Sequence, residues 1–253
     1  MDLEAVRKKL QKLQTKTQKQ DNLWKPEPGN QVIRIVPNKT NPEYPFHELY
    51  FHYGLGGKTY LSPTSYGRPD PLMEFAEKLK STGSKEDWQL SREITPKMRV
   101  YVPVLVRGKE SEGVKLWGFG KTVYTELLGF MADEDYGDIT DPASGRDVSV
   151  EFTPAEGAGN FPKTTIRVKP NQSAVSEDKA VIEAISNQPL AEDIFKEPEY
   201  DTLKEALESW LNGGEQAPKA DTPATSTADT VANETKTEKV DDVGAAFDNL
   251  FNK

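Results

Sequence analysis

Cysteine is missing from this 253-residue chain, and histidine occurs only twice. The first absence rules out disulfides and thiolate metal ligands. The second leaves little for hydrolytic chemistry: His47 and His52 fall on opposite faces of one strand-like run, with no serine or carboxylate arrangement of a triad near them in sequence. They read as packing or hydrogen-bonding residues. No apolar run reaches the length of a membrane span, and residues 1–20 are too charged for a secretory signal. The expectation is a soluble, intracellular protein with no membrane partner.

Two motifs are incomplete. GFGKT, Gly118 to Thr122, lacks the glycine a phosphate-binding loop requires five positions before Gly120, where Lys115 stands. DEDYGD, Asp133 to Asp138, puts its glycine one place early for a calcium loop and has Ser144 where the bidentate glutamate belongs. It reads as a solvated acidic turn. The strand faces carry cations rather than clustered carboxylates, which argues against a nuclease. No catalytic residue and no metal site are expected.

What is present is an uneven charge. The formal net charge is −9, yet residues 1–20 hold six Lys/Arg against two acids. Residues 171–214 hold three against ten, and residues 215–253 four against eight. A basic arm, a nearly neutral body and an acidic rear therefore share one chain. In the arm, Leu3, Val6, Leu10 and Leu13 recur at helical spacing among Arg7, Lys8, Lys9 and Lys12, which reads as a short basic amphipathic helix.

From Trp24 onward, short strand-like runs appear: QVIRIV, ELYFHYG, KTYL, RVYVPVLVRG, VKLWGFG, VSVEF and TTIRVK. Helices are expected at PLMEFAEKLK, with Pro71 in a favourable first-turn position after Asp70, at TVYTELLGFM, DKAVIEAI and YDTLKEALESWL. The fold class is α+β, mainly β, with an OB-fold core and peripheral helices. The boundaries are an arm at 1–20, a core at 21–212 with a helical subdomain around 62–90, and a tail at 213–253 too poor in large apolar residues to fold.

The strand faces carry the functional signal. In RVYVPVLVR the even positions form a valine row, while Arg99, Tyr101 and Arg107 share the other face; Pro103 points to an edge or a bulge. In VKLWGFGK, Lys115, Trp117, Phe119 and Lys121 alternate onto one face, and in TTIRVK so do Arg167 and Lys169. Rings stack on unpaired bases for about 1–3 kcal/mol each, and spaced cations track phosphates. Trp117, Tyr101 and Phe119 are therefore expected to stack on bases, while Arg99, Arg107, Lys115 and Lys121 meet phosphates. The competing reading is a solvated cationic face with rings under a covering loop. At the far end Phe247, Leu250 and Phe251 sit at i, i+3 and i+4 among acids, the pattern of a motif that folds into a partner's groove.

WKPEPGNQVIRIVPNK, GGKTYL, VYVPVLVRG, EGVKLWGFGK and GNFPKTTIRVK, in that order, resemble the single-stranded DNA-binding (helix-destabilising) proteins of T-even-like tailed phages. The resemblance covers roughly residues 5–170. It implies an OB-fold whose cleft holds single-stranded DNA cooperatively in an infected host's cytoplasm during replication, recombination and repair. By position it places Arg34, Tyr60, Arg99, Tyr101, Trp117, Lys121 and Lys169 in or beside that cleft. It also implies self-association through the arm, here Arg7, Lys8, Lys9 and Lys12. Replication and recombination proteins would bind the acidic tail. The best-known members hold a structural zinc through one His and three Cys; the matching stretch, SPTSYGRPDPLMEFAEKLKSTG, has neither residue type. No cofactor is expected. A single-stranded RNA-binding regulator and a protein-interaction adaptor are the alternatives.

Overall fold

The structure, a computed structural model, describes residues 22–156, 160–212, 246, 247, 250 and 251. The basic arm and the segment 213–245 lie outside the described residues. The chain is α+β, with eight strands and six α-helices among the described residues. It divides into two compact units.

The first unit takes residues up to His47 and Val100–Phe195. Its strands are β1 (Leu23–Trp24), β2 (Gly29–Ile35), β5 (Lys97–Val106, entering from the second unit), β6 (Lys115–Phe119), β7 (Arg146–Thr153) and β8 (Lys163–Gln172). They are ordered β1-β6-β5-β2-β7-β8. Neighbours in this order are antiparallel except β1 with β6. The valine row of β5 is buried as its alternation requires, together with Ile33, Ile35, Val148, Val150, Ile166 and Val168. Among the described residues, three α-helices belong to this unit: α3 (Lys121–Ala132), α4 (Lys179–Ser186) and the single turn α5 (Ala191–Ile194).

Pro103 is not at an edge, since β5 lies between β6 and β2. The last rung of β2 pairs Ile35 with Val104. Pro103 falls one residue past that rung, opposite Val36; its carbonyl accepts from the Val36 amide at 3.0 Å, and its missing N–H forgoes only the return bond at this end of the β2 ladder.

The second unit takes Glu48–Arg99 and residues from Lys196 onward. Strands β3 (His47–Leu55) and β4 (Lys58–Leu61) form a hairpin whose closing pair is Leu55 with Lys58. The two-residue loop is Gly56-Gly57, with φ of 58° and 69°. A tight hairpin turn of matching twist needs positive φ at both central positions, which glycine adopts without strain. Helix α1 (Pro71–Ser81) starts on the Asp70 side chain, which accepts from the Leu72 and Met73 amides, and Pro71 is its first residue.

Helix α2 (Lys85–Ile94) has no counterpart among the helices expected from sequence. Its apolar residues are few, but Ser84 accepts from the Asp87 amide, and Glu86 and Asp87 complement the helix N-terminus. With α6 (Tyr200–Leu211) these helices close an apolar cluster of Leu55, Leu72, Phe75, Ala76, Leu79, Ile94, Leu203 and Leu207. The helices of this unit thus draw on residues 71–94 and 200–211.

Inside the second unit, buried His52 donates from Nδ1 to the Ile94 carbonyl at 2.6 Å, and its Nε2 hydrogen-bonds with Asp70 Oδ2 at 2.8 Å. Ser62 Oγ donates to the same Asp70 oxygen. Burial alone would raise the Asp70 pKa, but the bonds and charge of His52, the Ser62 hydroxyl and the helix amide outweigh it and hold the carboxyl below its ordinary value. A depressed folded pKa adds stability above the unfolded value of about 3.9. That stability is lost as pH falls through the folded pKa. Acid titration of the wild-type chain should therefore show a stability loss below about pH 4 that is reduced in Asp70→Asn. An identical acid slope in both would remove this carboxylate as the cause.

Candidate nucleic-acid interface

Register decides which side chains each strand offers. The pairing of β5 with β6 sets Val102 opposite Trp117 and Tyr101 opposite Gly118. Residues directly opposite on antiparallel strands share a face. Trp117 and Phe119 therefore join the buried valine row, and Tyr101 lies on the other face with the glycines. This corrects the expectation from VKLWGFGK: Trp117 is 1% exposed and Phe119 4%, so neither ring is available to a base. The two rings pack at 4.6 Å, and Trp24 meets Trp117 edge-on at 5.6 Å. Lysines beside the large residues of this strand suggest an outward phase, yet Lys115 satisfies its charge through Glu112 rather than by reaching a phosphate.

Tyr101 is half-buried, with its ring 4.6 Å from that of Phe195. It lies so close over β6 that a Cβ added at Gly118 would come within 2.5 Å of its Cε1. The outward face expected from alternation thus holds for Tyr101 but not for Trp117, and the two rings do not converge.

Arg34 is the second correction. Its side chain is fully buried, so it meets no phosphate. Nε donates to Asp147 Oδ1 at 2.9 Å, and Nη2 donates to the carbonyl and hydroxyl of Ser173 at 2.8 and 2.6 Å. Arg107 is half-buried and donates to the same Asp147 oxygen from Nε and Nη2, at 3.0 and 2.8 Å, and from Nη1 to the Val175 carbonyl at 2.6 Å. Burial alone would raise the Asp147 pKa, but the two guanidiniums hold the carboxyl below its usual range. Beside this network Leu105 packs with Val36, Val114, Val175 and Val181. The face that alternation assigns to the exterior is therefore partly roofed by the chain that follows β8.

Among the described residues of the first unit, the cations singled out from the sequence that remain in solvent are Lys121, the opening residue of α3, and Arg167 and Lys169 on β8. Arg167 stands opposite Ser149, and Glu151 opposite Thr165 on the same face. A separate cavity of about 450 Å³ is lined by Trp24, Glu27, Asn30, Gln31, Val32, Val106, Arg107, Gly108 and Lys109. It brings a half-buried indole together with two cations, one of which, Lys109, lies 3.8 Å from Glu27. Strand patterns alone miss Trp24 and Lys109, which flank β2 and β5 in a two-residue strand and a loop. They also miss Phe161, 70% exposed just before β8. Its signal is present in GNFPKTT, a ring in a loop next to lysine.

In the second unit Tyr60 is half-buried against the apolar cluster. Arg99 is half-buried there too; burial raises the Tyr53 pKa, and the charge of Arg99 opposes that rise. Arg7, Lys8, Lys9 and Lys12 lie outside the described residues. Among the described residues no group of three or more His, Cys, Asp or Glu is placed to hold a metal ion, and no helix is long and apolar enough to cross a membrane. The stretch that matches the zinc-holding region of the resembled proteins contains no Cys and no His, and its Asp70 hydrogen-bonds with both His52 and Ser62.

A strand-rich unit with solvent-exposed cations and a ring on its outer sheet face offers the surface chemistry that nucleic-acid-binding proteins use. A family model described as gp32 DNA binding protein like matches residues 27–211, and the chain belongs to that family. No curated protein matches the chain.

Proposed function

We propose that this protein binds single-stranded DNA without marked sequence preference and is not an enzyme. The observation that carries the reading is the match to a DNA-binding family over residues 27–211. The geometry supports it with two groups of side chains. Trp24, Arg107 and Lys109 border a cavity large enough to admit a base, and Lys121, Arg167 and Lys169 offer solvent-facing charge. Tyr101 supplies a further ring on the outer sheet face, and Arg99 and Tyr60 are additional candidate contacts by the family resemblance. The sheet of short antiparallel strands is read as an OB-fold.

In this reading the protein coats single strands cooperatively during phage replication, recombination and repair in the infected cell. The arm joins neighbouring copies, and the acidic tail recruits replication and recombination proteins. No cofactor takes part.

The test is tryptophan fluorescence titration with oligo-dT over a range of salt. Replacing Arg167 and Lys169 together by alanine should reduce the salt slope by about 0.7 for each phosphate left without its cation. An unchanged slope would remove β8 from the interface. Absence of any quenching by oligo-dT in the wild-type chain would favour a protein-interaction adaptor, and tighter binding of RNA than of DNA would favour an RNA regulator.

A further inference from the structure

Phe247 and Phe251 are seated on the chain's own second unit. Phe247 is 5% exposed within the cluster of Leu72, Phe75, Leu79, Leu203 and Leu207. Its ring meets Phe75 edge-on at 6.0 Å and Phe251 at 4.9 Å. Ala246 and Phe251 pack on the same cluster. Lys204 on α6 donates from Nζ to the Phe251 carbonyl at 3.2 Å and lies 5.5 Å from that ring's centre. Leu250 is 38% exposed. Of the three apolar residues at helical spacing, the i and i+4 pair is used and the i+3 residue is not.

We propose that α1 and α6 form a docking site for the chain's own C-terminal segment, and that the docked segment is withheld from other proteins. Three features favour this occupant. Phenylalanine against phenylalanine is matched in shape and in edge-to-face geometry. Lys204 offers a cation to the backbone of a segment that carries Asp241, Asp242 and Asp248. Covalent attachment also makes the contact intramolecular, so a weak contact suffices to fill the site. The faces of Phe247 and Phe251 that a partner's groove would take are those already covered. An external protein then engages only the undocked fraction, and its apparent affinity is divided accordingly. The docking itself does not depend on DNA binding or on any recruited protein.

The experiment uses the full chain, its Phe247→Ala variant and a fluorescein-labelled peptide of residues 240–253, read by anisotropy. Phe247→Ala removes an anchor from the tail and leaves α1 and α6 intact, so the variant should bind the peptide at least tenfold more tightly than the wild type. Adding Lys204→Glu to that variant should weaken peptide binding several-fold. Equal binding by wild type and Phe247→Ala, or binding by neither, overturns the proposal. Sedimentation should find the wild type monomeric at the same concentration. A dimer that Phe247→Ala dissolves would assign the site to a second copy's tail and overturn docking within one chain.

Discussion

Trp117→Ala should unfold the first unit more readily rather than strip a stacking platform from it. Truncating a buried tryptophan leaves a large cavity and costs about 3–5 kcal/mol. Here Trp117 is 1% exposed and packs on both Trp24 and Phe119, so little collapse around it is available. Urea denaturation of wild type and variant measures the loss. Affinity for oligo-dT should fall only in proportion to the unfolded fraction, so a variant held in the folded state by low temperature should bind nearly as well as wild type. A variant of full stability and no affinity would return Trp117 to the interface and contradict the register of β5 and β6.

The second large effect is expected at Asp147. One carboxylate oxygen serves Arg34 and Arg107 together. Asp147→Ala would strand the fully buried Arg34 guanidinium, whose Nη1 already has no hydrogen-bond partner among the described residues. Removing one member of such a pair costs about 3–5 kcal/mol, most of it the uncompensated charge left behind. Asp147→Asn keeps an acceptor but not the charge and should cost less. A loss under about 1 kcal/mol for Asp147→Ala in the same denaturation assay would mean that water or relaxation reaches Arg34.

All seven strand-like runs are strands, because β-branched alternation between turn residues is a local signal. The start of α1 is legible for the same reason, since Asp70 and Pro71 act on their own helix. β8 also keeps the phase read from its sequence, with Ile166 and Val168 buried and Arg167 and Lys169 exposed. β6 does not. Its five residues carry large apolar groups in both phases, and only the pairing of Trp117 with Val102 chooses between them. Pairing is a long-range fact, invisible to a window on one strand. The buried role of Arg34 is hidden likewise, because its partners Asp147 and Ser173 lie more than a hundred residues away. The tail's apolar spacing is visible, but its seat is built from helices at 71–81 and 200–211, and spacing names no receptor.

Gly118 gives the outer sheet surface an adjustable element. Its missing methyl is what lets the Tyr101 ring recline against the strand, since a Cβ there would stand 2.5 Å from the ring. Alanine at this position would lever the phenol upright without removing it or altering any charge. The pose of one aromatic group is thus set by a hydrogen atom on the neighbouring strand, and chemistry at the ring can be separated from its tilt.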